Sequence, residues 1–99
     1  MSATLEAMIG IESVWARIER NAGQTFKTAT GLVFTYRVPG QFLRVTRDGQ
    51  EVNRALSRTN FAHALASMPA GKPSDLKDRQ GSAYTWGILM DARIRQSDW

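Results

Sequence analysis

Residues 32–53 constrain the fold more than any other part of the chain, because they combine strand-like alternation with two turn signals. Residues 32–38 place an apolar side chain at every second position, the period of a half-buried strand. Pro39–Gly40 then favours a tight turn, and a second strand-like run, 42–47, ends at Asp48–Gly49, a strong hairpin signal. The pattern predicts an antiparallel meander.

The register of the first hairpin follows from keeping the apolar side chains of both strands on one face. The predicted pairs are Val38 with Gln41, Arg37 with Phe42, Tyr36 with Leu43, Thr35 with Arg44, and Phe34 with Val45. A slip of one residue would set Tyr36 beside Arg44 and bury a charge. The twist of a two-residue type II turn does not match that of the flanking strands. The alternative is a four-residue loop, which keeps each side chain on the same face of the sheet. The second turn predicts Val52 beside Val45 and Asn53 beside Arg44.

The two faces of this predicted sheet carry different side chains. One face holds the core residues Leu32, Phe34, Tyr36, Leu43 and Val45, and the other holds Val33, Thr35, Arg37, Phe42, Arg44 and Thr46. Three interpretations of the second face stay open: an ordinary solvated face, a nucleic-acid-binding surface, or a face covered by the terminal helix. Two arginines that flank Phe42 among hydroxyl groups are typical of a surface that contacts phosphates and stacks on bases.

Helical periodicity flanks the meander on both sides. The first helix is predicted over 4–21, with Thr4 as its cap, a stop at Asn21 and Gly23, and a short strand over 24–28 after it. Its apolar stripe consists of Leu5, Met8, Ile11, Trp15 and Ile18.

A second helix is predicted from the cap Ser57 to about residue 68, before Pro69. Its inward stripe consists of Phe61, Ala64, Leu65 and Met68, and His63 falls off this stripe, as a surface histidine without metal partners would. A polar loop, 69–81, is either mobile or functional. The last helix begins near Ser82 and buries Tyr84, Ile88 and neighbouring apolar residues, and its Gly87 permits close approach of another backbone.

These elements predict an α+β fold: an N-terminal helix, a three- to four-stranded antiparallel meander and two C-terminal helices. The chain has 99 residues, of which 42% are hydrophobic, and this favours one small globular domain, 1–99. The absence of cysteine excludes disulfides and thiolate sites. The sequence shows no signal peptide and no apolar run near the ~20 residues that span a bilayer. We therefore expect a soluble cytoplasmic protein with no membrane partner.

The charge is basic and locally concentrated. Thirteen basic and nine acidic side chains give +4, and ten of the basic residues are arginine. Arginine bias also follows from a GC-rich genome, so its placement decides its meaning. Five arginines and two acidic residues lie between positions 37 and 58, which accounts for three of the four net charges.

The leading hypothesis is a small nucleic-acid-binding module, DNA or RNA, that uses the arginine-rich sheet face and its turns. The candidate binding residues are Thr35, Arg37, Phe42, Arg44, Thr46, Arg47, Arg54 and Arg58. The alternative is a protein-protein interaction or regulatory domain, antitoxin-like in character, that docks an acidic partner. We expect no enzymatic activity and no cofactor, because the sequence contains neither a catalytic constellation nor a glycine-rich phosphate loop.

Overall fold

The computed structural model describes residues 10–76 and 81–99. In chain order these residues form α1 (Ile11–Arg20), β1 (Phe26–Lys27), β2 (Val33–Arg37), β3 (Phe42–Arg47), β4 (Gln50–Ser57), α2 (Arg58–Leu65), a 3-10 turn (Pro73–Asp75), α3 (Ser82–Leu89) and α4 (Ala92–Arg95). The strands make one antiparallel sheet in the order β1-β2-β3-β4. The predicted α+β fold is confirmed, and two helices rather than one follow α2.

α1 packs one apolar side against the core. Its buried residues are Val14, Trp15 and Ile18, and Ile11 is half-buried. Gly10 is extended and α1 begins at Ile11, so the predicted continuous helix over 4–21 is wrong at residue 10. The helix ends at Arg20 with Asn21 as its C-cap, close to the predicted stop, and the Asn21 side-chain amide donates a 2.8 Å hydrogen bond to the Arg17 carbonyl. The predicted cap and the first part of the stripe lie outside the described residues, namely Thr4, Leu5 and Met8.

The hairpin between β2 and β3 uses the four-residue loop 38–41. The observed pairs are Thr35 with Thr46, Tyr36 with Val45, and Arg37 with Arg44. The pairing built on a two-residue loop is therefore wrong by two positions. Because the difference is even, every side chain keeps its predicted face. Gly40, with a φ of 72°, supplies the positive backbone angle that the turn needs.

The turn between β3 and β4 is formed by Asp48 and Gly49, both with positive φ, 56° and 78°. Two such residues define a type I′ turn, whose twist matches that of the flanking strands. Thr46 lies opposite Glu51, so the predicted register is confirmed beside the turn.

Farther from the turn, the register of β3 and β4 changes at a β-bulge. Ala55 lies opposite Arg44, so the predicted pairing of Asn53 with Arg44 is wrong. The extra residues on β4 bring Leu56 opposite Leu43, and both side chains are buried. The bulge therefore returns β4 to the core before α2 begins.

α2 begins where the sequence indicates and ends earlier. The Ser57 hydroxyl accepts a 3.0 Å hydrogen bond from the backbone N–H of Asn60, which confirms the cap. The helix ends at Leu65 rather than near residue 68. The N–H of Met68 bonds to the carbonyl three residues back, at 3.0 Å, so the chain tightens into a turn before Pro69.

Part of the predicted polar loop is packed rather than solvated. Ala70 and Leu76 are buried, and the indole N–H of Trp86 donates a 2.9 Å hydrogen bond to the Ala70 carbonyl. Residues 77–80 lie outside the described residues. The segment before them is therefore part of the structure that holds α3 in place.

The helices share a single core cluster with one face of the sheet. The sheet contributes Phe26, Phe34, Tyr36, Leu43, Val45 and Leu56 to it. The Tyr36 hydroxyl donates a 2.6 Å hydrogen bond to the Ile18 carbonyl, and burial raises the pKa of Tyr36 well above its ordinary value. Leu32 was predicted in the core but is 38% exposed. It lies just before β2, so the alternation of buried and exposed side chains along the strand does not extend to it.

Candidate nucleic-acid interface

The second face of the sheet is open to solvent, and we call it the open face. Its side chains come from alternate positions of β2, β3 and β4: Val33, Thr35, Arg37, Phe42, Arg44, Thr46 and Glu51. Phe42 and Val33 are 49% and 47% exposed. The interpretation in which the terminal helix covers this face is therefore wrong.

Cross-strand pairing sets the predicted residues side by side. Arg37 lies opposite Arg44, and Thr35 lies opposite Thr46, so two guanidinium groups and two hydroxyl groups form adjacent rows. Like charges directly opposite each other repel across a sheet. The arginine pair therefore needs a counter-charge, either from the protein or from a ligand.

Glu51 supplies an internal counter-charge to both arginines. Its Oε2 accepts a 2.5 Å hydrogen bond from Arg37 Nε, and its Oε1 accepts a 3.3 Å hydrogen bond from Arg44 Nε. The hydrogen bond with Arg37 lowers the pKa of Glu51 and raises that of Arg37. The trio still carries one net positive charge, and the Arg37 side chain is 60% exposed.

The contact of Glu51 with both arginines was not predicted from the sequence, although a signal for it exists. The Asp48–Gly49 turn places Glu51 opposite Thr46, and Thr46 shares a face with Arg44 two residues earlier. Glu51 therefore belongs to the same face as the arginines once the turn type is known.

Phe42 is the large aromatic side chain at the arginine end of the open face. It stands two residues before Arg44 on β3, so both side chains leave the strand on the same side. A half-exposed ring is costly to hydrate, and beside guanidinium groups it offers a flat surface for a planar ligand.

The three other predicted arginines do not join this row. Arg47 donates a 2.9 Å hydrogen bond to the hydroxyl of Tyr84, whose ring packs edge-on against core residue Phe34. It therefore reaches toward α3 rather than the open face. Arg54 is exposed within the irregular part of β4, and Arg58 begins α2.

Arg58 lines a cleft between the start of β3, α1 and α2. The cleft has a volume of about 450 Å³. Its walls include Ile11, Gln41, Phe42, Arg58, Ala62 and His63. Phe42 thus stands at the border between the open face and this cleft. His63 is exposed, as predicted, and its position in a cleft was not predicted.

Within residues 10–76 and 81–99, no group of three or more His, Cys, Asp or Glu side chains could hold a metal ion. In the same part of the chain, no helix combines the length and the apolar character that crossing a bilayer requires. No protein-family model matches the chain, and neither a curated protein nor a solved structure is detectably similar to it.

Proposed function

We propose that this chain is a small nucleic-acid-binding domain that holds a single strand on its open face. The observation that carries the proposal is the half-exposed Phe42 beside the Arg37–Arg44 pair, on a sheet face that none of the helices described within 10–76 and 81–99 covers. Sequence-tolerant binders of single strands combine these two elements, a stacking ring and cations that follow the backbone.

Each group on the face has a role in this proposal. Arg37 and Arg44 contact successive phosphates, and the hydroxyls of Thr35 and Thr46 donate to phosphate oxygens beside them. The ring of Phe42 stacks on one base. Stacking needs an unpaired base, so a single strand fits this face better than a duplex.

Glu51 limits the affinity that the proposal predicts. A phosphate has to displace this carboxylate from the guanidinium groups or share them with it, since both ligands seek the same N–H donors. We therefore expect weak, strongly salt-dependent binding rather than tight recognition. Arg47, Arg54 and Arg58 lie around the face and add to the long-range attraction.

We propose a non-enzymatic domain that acts in the cytoplasm, where a chain without cysteine is ordinary.

The decisive test is a fluorescence-anisotropy titration of the full chain with a labelled oligothymidine and with a duplex of equal length. Each titration is run at about 50 and 200 mM salt, because counterion release makes phosphate-dependent affinity fall steeply over that range. We expect the single strand to bind more tightly and both affinities to fall with salt. Failure to detect binding of either ligand at the lower salt concentration would overturn the proposal.

The alternative, an interaction domain for an acidic protein, rests on one observation. β4 is the last strand of the sheet order, and no other described strand pairs with its outer side. An extended acidic segment could add there as a fifth strand beside Arg54. The bulge in β4 twists this edge and works against such pairing, so the open face is the stronger candidate.

A further inference from the structure

The cleft beside Phe42 differs from the open face in shape and charge. The open face is a sheet surface, whereas the cleft is an open depression lined by residues of β3, α1 and α2. Its volume of about 450 Å³ falls in the range of small-molecule sites, ~300–1,000 Å³. It therefore has room for one planar ring with its substituents and not for a folded chain segment.

The lining of the cleft combines apolar walls with cationic and polar groups. Ile11 and Ala62 form apolar walls, Phe42 presents a half-exposed ring, and Arg58 and His63 bring nitrogen donors. Among the described residues that line the cleft, none is acidic. An anion here therefore meets no carboxylate from these described lining residues, whereas an anion at the Arg37–Arg44 pair competes with Glu51.

Arg58 is weakly engaged within the protein. Its Nη1 donates to the amide oxygen of Gln41 at 3.3 Å, which is a long hydrogen bond to a neutral acceptor. A phosphate oxygen is a better acceptor for a guanidinium group, because a charge-assisted hydrogen bond is about twice as strong as a neutral one. The backbone N–H of Arg58 bonds to the Gln41 carbonyl at 2.8 Å and holds the start of α2 against β3.

We infer that this cleft binds one nucleotide, with its base against Phe42 and its phosphate at Arg58 and His63. The inference rests on the proposed function and specifies its ligand. The nucleotide is either free or the phosphorylated end of a strand that lies on the open face. Both sources present the same chemistry, a planar base joined to a terminal phosphate.

The test is an NMR titration of the isotopically labelled full chain with adenosine 5′-monophosphate, adenosine and ribose 5-phosphate. We expect the mononucleotide to shift the amide resonances of Gln41, Ala62 and His63. Loss of either half of the ligand should weaken binding roughly tenfold, since the base and the phosphate each contribute a separate contact. Equal binding of all three compounds, or shifts that avoid the cleft, would contradict the inference.

Two variants with matched controls locate the contacts. Arg58→Ala should weaken mononucleotide binding roughly tenfold, whereas Arg20→Ala, which removes the same charge at the far end of α1, should not. Phe42→Ala should weaken it by a similar factor, and Phe42→Tyr should restore it because the ring is kept. The spectra report the fold of each variant directly. If Arg58→Ala and Arg20→Ala behave alike, Arg58 does not bind the phosphate and the inference is wrong.

Oligonucleotides with and without a 5′-phosphate separate the two sources and the two proposals. If the phosphorylated strand binds more tightly and Arg58→Ala abolishes this preference, the cleft binds the end of a strand. Equal binding of both strands, together with a response to the free mononucleotide, assigns it to a free nucleotide. Strand binding without any mononucleotide response would refute the cleft and leave the open face standing. A mononucleotide response without strand binding would refute the proposed function and leave the cleft.

Discussion

The backbone of Gly87 in α3 lies against the carbonyl oxygen of Lys27 in β1, where a β-carbon on the glycine would stand 2.5 Å from that oxygen. This contact lets α3 cover the edge strand, and the sequence correctly indicated a close approach at Gly87. Alanine is favoured over glycine within a helix by ~0.5–1 kcal/mol. The added methyl group would clash with the Lys27 backbone, which cannot move aside as a flexible side chain could. This overpacking should cost ~1–3 kcal/mol of stability, which exceeds the gain in helix propensity. Gly87→Ala should therefore destabilise the protein in urea unfolding.

Gly71→Ala is the control for this prediction. Gly71 is exposed, and a β-carbon there would lie 3.7 Å from Asp75 Oδ2, an ordinary contact. We expect a change within ~0.5 kcal/mol in the free energy of unfolding. Equal stability of the two variants would show that α3 does not press on β1 as described.

Asp91 and Arg93 link the start of α4 to β1. The Asp91 carboxylate accepts hydrogen bonds from the Arg93 N–H at 2.9 Å and from its Nε at 2.8 Å. The Arg93 guanidinium lies 4.0 Å from the centre of the Phe26 ring and donates to the Thr25 carbonyl at 2.6 Å. The hydrogen bond from the Arg93 side chain lowers the pKa of Asp91 below its ordinary 3.8.

This lowered pKa predicts a pH dependence of stability. A carboxylate with a lowered pKa in the folded protein contributes fully above its ordinary value, and the contribution disappears as the pH falls through the lowered one. Asp91→Asn keeps a capping side chain and removes the charge. The difference in unfolding free energy between the wild type and this variant should be constant above about pH 5 and shrink below about pH 4. A constant difference down to about pH 2 would contradict it.

How far the sequence predicts this fold depends on whether the deciding contacts are local. The Asp48–Gly49 turn fixes its own geometry, so the register beside it was predicted correctly. The bulge that places Ala55 opposite Arg44 depends on how β4 meets the core and α2, and no local pattern indicates it. The break before α4 was missed although Asp91 is an ordinary capping residue, because the apolar run around it suggested a continuous helix.

The candidate site shows the same limit. Alternation along β2 and β3 was sufficient to place Arg37, Phe42 and Arg44 on one face. The cleft was not predictable in this way, because Ile11, Phe42 and His63 come from three elements that only tertiary packing brings together.

Glu51→Gln should increase affinity for single strands. Glutamine keeps the shape of the side chain but releases Arg37 and Arg44 from a charged competitor. Exposed ion pairs are weak, so we expect a gain of roughly two- to fivefold in an anisotropy titration. Asp48→Asn removes the same charge within the turn, where the carboxylate lies 4.0 Å from Arg47, and serves as the control. If both variants gain equally, the effect is one of net charge and Glu51 does not compete at the arginine pair.

The double variant Arg37→Ala/Arg44→Ala should bind less tightly and with less dependence on salt. If each guanidinium group neutralises one phosphate, the slope of log affinity against log salt should shrink by roughly 1.4 for a single strand and 1.8 for a duplex. Both residues lie on the open face, so stability should change by no more than ~0.5 kcal/mol. When Glu51→Gln is added to the double variant, single-strand affinity should rise no more than it does when Asp48→Asn is added. An unchanged salt slope would show that these arginines do not contact phosphate.

Phe42→Ala tests the stacking role of the open face independently of charge. Loss of the ring should weaken single-strand binding by ~1–3 kcal/mol, because each stacked base contributes about that much. The salt slope should stay unchanged, since no cation is removed. Val33→Ala is the matched control, because Val33 is similarly exposed on the same face but has no ring to stack on a base. Duplex binding, in which the bases are already stacked, should change less in Phe42→Ala than single-strand binding does. If Phe42→Ala and Val33→Ala lose the same single-strand affinity, the Phe42 ring does not stack on a base. The proposed function would then lack the observation that carries it.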